Sequence, residues 1–269
     1  VASNGTSGAG LLELDFRQEA AEPWQHSPAE QSALPLEEIS TAVALWFEGS
    51  GGRRTHAWYY PPSNGSVGAA PLLVKSHSGP TAMARRGLNL ALQYWTSRGW
   101  GVVDVNYGGS TGFGRAYRER LNGGWGVVDV EDCAAAAQAL IASGHANPAQ
   151  IAIEGGSAGG FTTLACLCFS DVFRVGACRY AVCDLSAMAE DTHRFEARYL
   201  DSLVGAWPAE RRTYEERSPL KHAGLIGCPV LFFQGLQDRV VPPEQTERMA
   251  AALRANGIPV EVRLFEQDG

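Results

Sequence analysis

Short apolar runs and longer amphipathic stretches alternate along most of this chain. Strand-like runs fall at 42–47, 57–60, 72–76, 101–106, 151–154, 175–182, 230–234 and 260–265. Helical patterns occupy 84–97, 128–142, 161–169, 195–204 and 244–256. Strands that alternate with helices of this length predict βαβ units, and hence a mostly parallel sheet with helices on both faces. Glu244 and Arg248, one helical turn apart, and Gly257 just past Asn256 suit a surface helix with a C-terminal stop. Residues 1–37 break the pattern. A short strand over 11–16 is followed by a polar stretch rich in Ala, Glu, Pro and Gln, which cannot bury a face alone and reads as a linker or the remnant of something larger. The regular part, 38–269, reads as one domain.

Composition narrows the class. Of 269 residues, 45% are hydrophobic and 19% charged, which suits a globular core. A net charge of −7 argues against a nucleic-acid partner, because phosphate binding needs clustered Lys and Arg. The six cysteines, Cys133, Cys166, Cys168, Cys178, Cys183 and Cys228, sit in apolar stretches without C-x-x-C spacing. They read as buried free thiols, and a reducing cytoplasm is the expected location. Neither a leader nor a run of about 18 apolar residues is visible, so no membrane partner is expected. The triplets Asn4-Gly5-Thr6 and Asn64-Gly65-Ser66 fit the glycosylation pattern, which matters only in a secreted protein. No His/Cys/Asp cluster has ligand spacing, so neither metal nor organic cofactor is implied.

The strongest local signal is Ile151-Ala-Ile-Glu-Gly155-Gly156-Ser157-Ala158-Gly159-Gly160. It reads as a strand, a Gly-x-Ser-x-Gly turn and a helix beginning near Ala158. Such a turn strains the serine backbone, tolerates only small neighbours, and aims the helix N-terminus at developing negative charge. A phosphate loop would require Lys after Gly160, where Phe161 stands, and a dinucleotide fingerprint would require Gly in place of Ser157. A second Gly-rich loop, 109–114, shapes the site. Ser157 is therefore the candidate nucleophile of an α/β-hydrolase. In that fold an acid and then a histidine follow the serine along the chain. Asp238 stands just past the apolar strand 230–234, where catalytic groups gather, and is the candidate triad acid, with Asp184 the runner-up. The two oxyanion donors expected are the N–H of Ala158 and one from His77-Ser78-Gly79-Pro80, with Gly79 preferred over Ser78. His77 precedes the elbow and reads as structural.

Five stretches together resemble the catalytic domain of the prolyl oligopeptidase family, nearest its acylaminoacyl-peptidase and dipeptidyl-peptidase branches. They are His77-Ser-Gly-Pro80, Asn106-Tyr-Gly-Gly-Ser-Thr-Gly-Phe-Gly114, Trp125-Gly-Val-Val-Asp129-Val-Glu-Asp132, Gly155-Gly-Ser-Ala-Gly-Gly160 and Gln234-Gly-Leu-Gln-Asp238-Arg-Val-Val-Pro242. The resemblance implies Ser157 as nucleophile, Asp238 as acid, Gly79 and Ala158 as oxyanion donors, and Val241 in the pocket for the residue preceding the cleaved bond. The stretch from His193 to Asp201 is similar to a segment that builds part of that pocket. Two departures stand out: Ser78 in place of a usual Gly, and Gly108 in place of a usual Arg.

None of the six histidines follows Asp238. The resemblance implies a base just after the last strand, so a histidine just beyond residue 269 is expected. It also implies a β-propeller before the hydrolase domain. The leading expectation is a serine peptidase acting on short peptides or aminoacyl amides. A carboxylesterase of the same fold and a non-catalytic binding module are the alternatives.

Overall fold

The computed structural model describes residues 3–7, 10–13, 24–27, 34–64, 68–191 and 198–268. Strands β1 (Leu11–Glu13) and β2 (Trp24–Ser27) pair antiparallel in a small sheet of their own. The main sheet has eight strands: β3 (Val43–Glu48), β4 (Arg54–Tyr60), β5 (Ala70–Ser76), β6 (Gly101–Asn106), β7 (Ala146–Gly156), β8 (Val175–Arg179), β9 (Val230–Gly235) and β10 (Val260–Phe265). Their spatial order is β10-β9-β8-β7-β5-β6-β4-β3, antiparallel at β3/β4 and β4/β6 and parallel elsewhere. The helices are α1 (Leu90–Thr96), α2 (Arg115–Arg118), α3 (Val128–Ala142), α4 (Ala158–Phe169), α5 (Leu185–Asp191), α6 (Tyr199–Leu203), α7 (Arg211–Arg217) and α8 (Pro243–Ala255). The expected α/β architecture is the one observed.

Crossover handedness decides which face each helix covers. The step β5–α1–β6 runs across the sheet in one direction; β6–α3–β7, β7–α4–β8 and β9–α8–β10 run in the other. Right-handed connections therefore put α1 on one face and α3, α4 and α8 on the opposite face. The cores agree. Leu72, Val74, Ile151, Ile153 and Phe232 pack with Cys133, Leu140, Leu164 and Leu253 from those three helices. Leu73 and Ala152, one residue out of phase, pack with Leu92 of α1. On the α1 side beyond β7, Val175 and Phe265 stay 37% and 43% exposed.

Two buried carboxylates of the Trp125–Asp132 stretch tie this frame together. Asp129 accepts from Gly126 N–H at 2.6 Å and from the Thr162 hydroxyl at 2.5 Å, which joins α3 to α4. Asp132 accepts from Ser50 N–H and Gly108 N–H, each at 2.7 Å, and so joins the β3–β4 turn to the loop after β6. A side chain at Gly108 would collide with Val128 and with the stem of Arg120.

Several boundaries differ from expectation. The helix over 84–97 starts only at Leu90, because Ala84 N–H is held by Asn106 Oδ1 and Leu88 N–H by Asn4 O. The strand over 175–182 ends at Arg179, where Tyr180 turns the chain at φ 37°. The strand over 151–154 reaches back to Ala146, whereas α4 begins at Ala158 as the elbow motif implied, three residues ahead of its apolar pattern. Helices α5 and α7 had no counterpart in the sequence reading. Residues 14–16 of the first expected strand, 195–197 of the expected helix, His193, and Gly65 and Ser66 of the second triplet lie outside the described residues. All six cysteines are free, five of them buried. Among the described residues no helix is long and apolar enough to cross a membrane.

Candidate active site

Ser157 sits between β7 and α4 with φ 53° and ψ −122°, a strained conformation for a residue with a Cβ. Tight approach of strand and helix forces it. A Cβ at Gly155 would collide with Gly159 O, and one at Gly160 would stand 2.6 Å from Ala181 Cβ. Ser157 N–H is anchored on Arg179 O at 3.0 Å, so β8 fixes the turn from the side. The first N–H groups of α4, Ala158 included, lack intrahelical acceptors and face the region of the serine.

The loop after β5 packs onto this elbow. The Ser76 hydroxyl donates to Gly159 O at 2.8 Å, and the Ser78 hydroxyl donates to Gly156 O at 2.8 Å. Ser78, a departure from the family pattern, thus makes a direct tie between the two loops. Gly79 follows with φ 130°, and a Cβ there would meet Ala82 N at 2.7 Å, so only glycine fits.

Asp238 lies in the turn after β9 and lines the same cavity of about 820 Å³ as Ser157. Its Oδ1 accepts from Val240 N–H at 2.8 Å and Val241 N–H at 2.9 Å, while Oδ2 has no partner among the described residues. An acid anchored by one oxygen keeps the other for a histidine. Val241 lines the cavity as well and is buried, with Val240 beside it exposed. Asp184, the runner-up, is occupied elsewhere. Its Oδ1 accepts from Ser186 and Ala187 N–H at the start of α5, and its Oδ2 from Arg248 at 2.9 Å.

Four histidines have described side chains, and each is engaged away from Ser157. His56 meets Asn106, His145 meets Ser143, and His222 packs edge-on against Phe169. His77 lies between Ser78 O and the Ser110 hydroxyl. Burial pushes its imidazole down to about 4 against a smaller upward pull from Ser78 O, so it is neutral at pH 7. The last described residues turn back toward the acid. Leu236 N–H donates to Phe265 O and Gln237 N–H to Asp268 O, each at 2.9 Å, and Asp268 lines the cavity with Ser157 and Asp238.

Sequence reasoning did not single out Glu154 and Arg179, which also line this cavity. Glu154 is bridged by Lys75 and by Arg179 at 3.2 Å. Burial acts to raise the Glu154 carboxyl, but the two cations outweigh it and hold the group below its usual range. The signal was present as Lys75, Glu154 and Arg179 at the ends of three strands, but only the order of strands in the sheet makes them neighbours.

A strained serine at a strand–helix turn, two converging loops and an acid past a later strand, all at one edge of a mostly parallel sheet, define an α/β-hydrolase. The model of the prolyl oligopeptidase family matches residues 87–269, and the chain belongs to that family. It is similar to dipeptidyl aminopeptidase BIII of Pseudoxanthomonas mexicana, 32% identical over 205 residues that cover 74% of this chain and 30% of that protein. Among solved structures it is similar to a puromycin-hydrolyzing peptidase of Mycobacterium tuberculosis. The two are 46% identical with a TM-score of 0.92, over 98% of this chain and 41% of that one. A structure of puromycin hydrolase is 41% identical with a TM-score of 0.94, over 99% and 41% of the two chains. The chain thus spans less than half the length of these relatives.

Proposed function

We propose that the full-length protein carrying this chain is a serine peptidase that hydrolyses the amide bonds of short peptides or aminoacyl amides. The observation that carries this reading is the convergence of Ser157, Asp238 and the turn ending at Asp268 on one cavity. Ser157 Oγ attacks the carbonyl carbon, and a histidine following residue 269 takes its proton. Asp238 Oδ2 accepts from the other nitrogen of that imidazole and stabilises its charged form. The N–H groups of Gly79 and Ala158 stabilise the oxyanion, each worth roughly 10²–10³ in rate. The imidazolium then protonates the leaving amine, and water repeats the sequence on the acyl-enzyme. Val241 lines the pocket for the residue preceding the cleaved bond.

Aminoacyl amides are favoured by the two similar structures named for puromycin, in which an aminoacyl group is joined to a nucleoside through an amide. The relatives' greater length leaves room for a β-propeller ahead of this domain, with residues 1–37 as its remnant or linker. Six unpaired cysteines favour the cytoplasm.

The test compares the full-length protein with its Ser157→Ala variant on an aminoacyl p-nitroanilide, on puromycin and on a p-nitrophenyl ester. Amide hydrolysis is expected, and the variant should lower kcat by a factor on the order of 10⁶. Ester cleavage without amide cleavage would instead identify a carboxylesterase. Hydrolysis of none of the three substrates would leave a binding module.

A further inference from the structure

A base that activates Ser157 and is held by Asp238 has to reach across three strands. Ser157 stands at the C-terminal end of β7 and Asp238 in the turn after β9, with β8 between them in the sheet. Neighbouring strands lie about 4.8 Å apart, so the two groups are separated by about two such steps. An imidazole hydrogen-bonded at both nitrogens spans most of that gap, and it therefore lies over the C-terminal end of β8. The residue that emerges there is Tyr180.

Backbone hydrogen bonds fix Tyr180 in this place. Arg179 O accepts from Ser157 N–H at 3.0 Å, and the N–H of the same peptide unit, that of Tyr180, donates to Phe233 O of β9 at 2.9 Å. One planar group thus ties the turn of the nucleophile to the strand that leads to the acid. Tyr180 has φ 37°, a conformation that costs a residue with a Cβ and persists only where the surroundings impose it. The ring is laid back over β7. A Cβ added to Gly156 would stand 3.1 Å from its Cε2 and 3.1 Å from its hydroxyl oxygen, so the ring tip rests against the bare backbone beside Ser157. Tyr180 is still 40% exposed, and it lines the cavity shared by Ser157, Asp238 and Asp268. A ring pinned at root and tip, and open to the cavity between nucleophile and acid, offers a flat apolar platform about as wide as an imidazole.

We propose that Tyr180 is a positioning residue whose ring is the floor on which the general-base imidazole stands between Ser157 Oγ and Asp238 Oδ2. The ring closes the lower side of the imidazole to water and stops it from tipping toward the sheet, so both nitrogens stay in line with their partners. The inference rests on the reading of Ser157, Asp238 and a histidine following residue 269 as one triad.

Three substitutions in the full-length protein separate ring, hydroxyl and backbone. Tyr180→Phe keeps the floor, Tyr180→Ala removes it, and Tyr180→Gly removes it while relieving the positive φ. With an aminoacyl anilide, Tyr180→Phe should keep kcat within roughly threefold, whereas the alanine and glycine variants should each lower it by roughly 10- to 100-fold with KM unchanged. Tyr180→Gly carries the test where Tyr180→Ala does not fold. A spectroscopic signature follows the base itself. The low-field proton resonance of the imidazole Nδ1–H that faces Asp238, identified by its loss in Asp238→Asn, should persist in Tyr180→Phe and vanish in Tyr180→Gly as water gains access. Equal losses of kcat in all three variants would place the effect in the hydroxyl, and a change in KM alone would place it in a substrate contact. An unchanged resonance in Tyr180→Gly would show a base that stands without the ring. Each of these outcomes overturns the inference while Ser157-dependent hydrolysis stands. Amide hydrolysis that survives Ser157→Ala would overturn both.

Discussion

At Asp104 burial raises the carboxyl to about 6, with Lys75 pulling it down and Glu154 pushing it further up. The folded value lies above that of a free carboxylate, about 3.9. The folded state therefore binds this proton more tightly than the unfolded chain does. Its stabilising contribution is complete below about pH 4 and is lost as pH rises through about 6. Asp104→Asn mimics the protonated form. It is expected to match the natural protein at pH 4 and to exceed its stability at pH 8 by roughly 1–3 kcal/mol. Denaturant unfolding at the two pH values checks this; a difference of equal size at both would refute the assignment. Ser157 and Asp238 could be singled out as candidates, Ser157 from a serine among glycines between a strand and a helix, Asp238 only from its place past a later strand taken together with that elbow. The partners of His77 were not legible. Ser110 and Tyr107 stand more than a full helix away along the chain, and only β6 lying beside β5 brings them to that ring.

At the scale of elements, α1 illustrates how caps outrank pattern. Apolar spacing alone extends the helix over 84–97, but Asn89 Oδ1 accepts from Ala91 N–H at 2.9 Å and Leu92 N–H at 3.3 Å and so starts it at Leu90. Asn89→Ala is expected to cost about 1 kcal/mol, and Asn89→Ser close to nothing. Thermal unfolding should show a fall of roughly 2–4 °C for alanine alone. Helices α3 and α8 were readable to within a residue, because each is more than three turns long and ends at a glycine stop. Helices α5 and α7 are seven residues each, too short for a period to emerge. Bonds outside the helices hold them instead: Leu185 N–H donates to the Ser218 hydroxyl, 33 residues on, at 2.9 Å, and the Tyr214 hydroxyl donates to Gly205 O at 2.7 Å.

Across the whole molecule, the cavity that holds Ser157 and Asp238 continues along the α1-side face of the sheet to Leu231, Phe233 and Phe265. If the general base follows residue 269, as proposed, the 269-residue chain alone has a nucleophile without an activator. It should react weakly or not at all with a fluorophosphonate, while the full-length protein is labelled at Ser157; mass spectrometry of the labelled peptide decides the point. Strong labelling of the shorter chain would mean that another group activates the serine. The sequence by itself determined the alternation of strands and helices, the elbow and an acid past a later strand as a candidate, because periodicity and turn chemistry are local and survive in one dimension. Tertiary structure decided what those residues face. Strand order and crossover handedness set Ser157, Asp238 and Gly79 at one edge, gave Ser78 its hold on Gly156, tied Asp184 to Arg248, and ran the chain past Asp238 a second time at Asp268. Each of these depends on contacts between segments tens of residues apart, which no local pattern encodes.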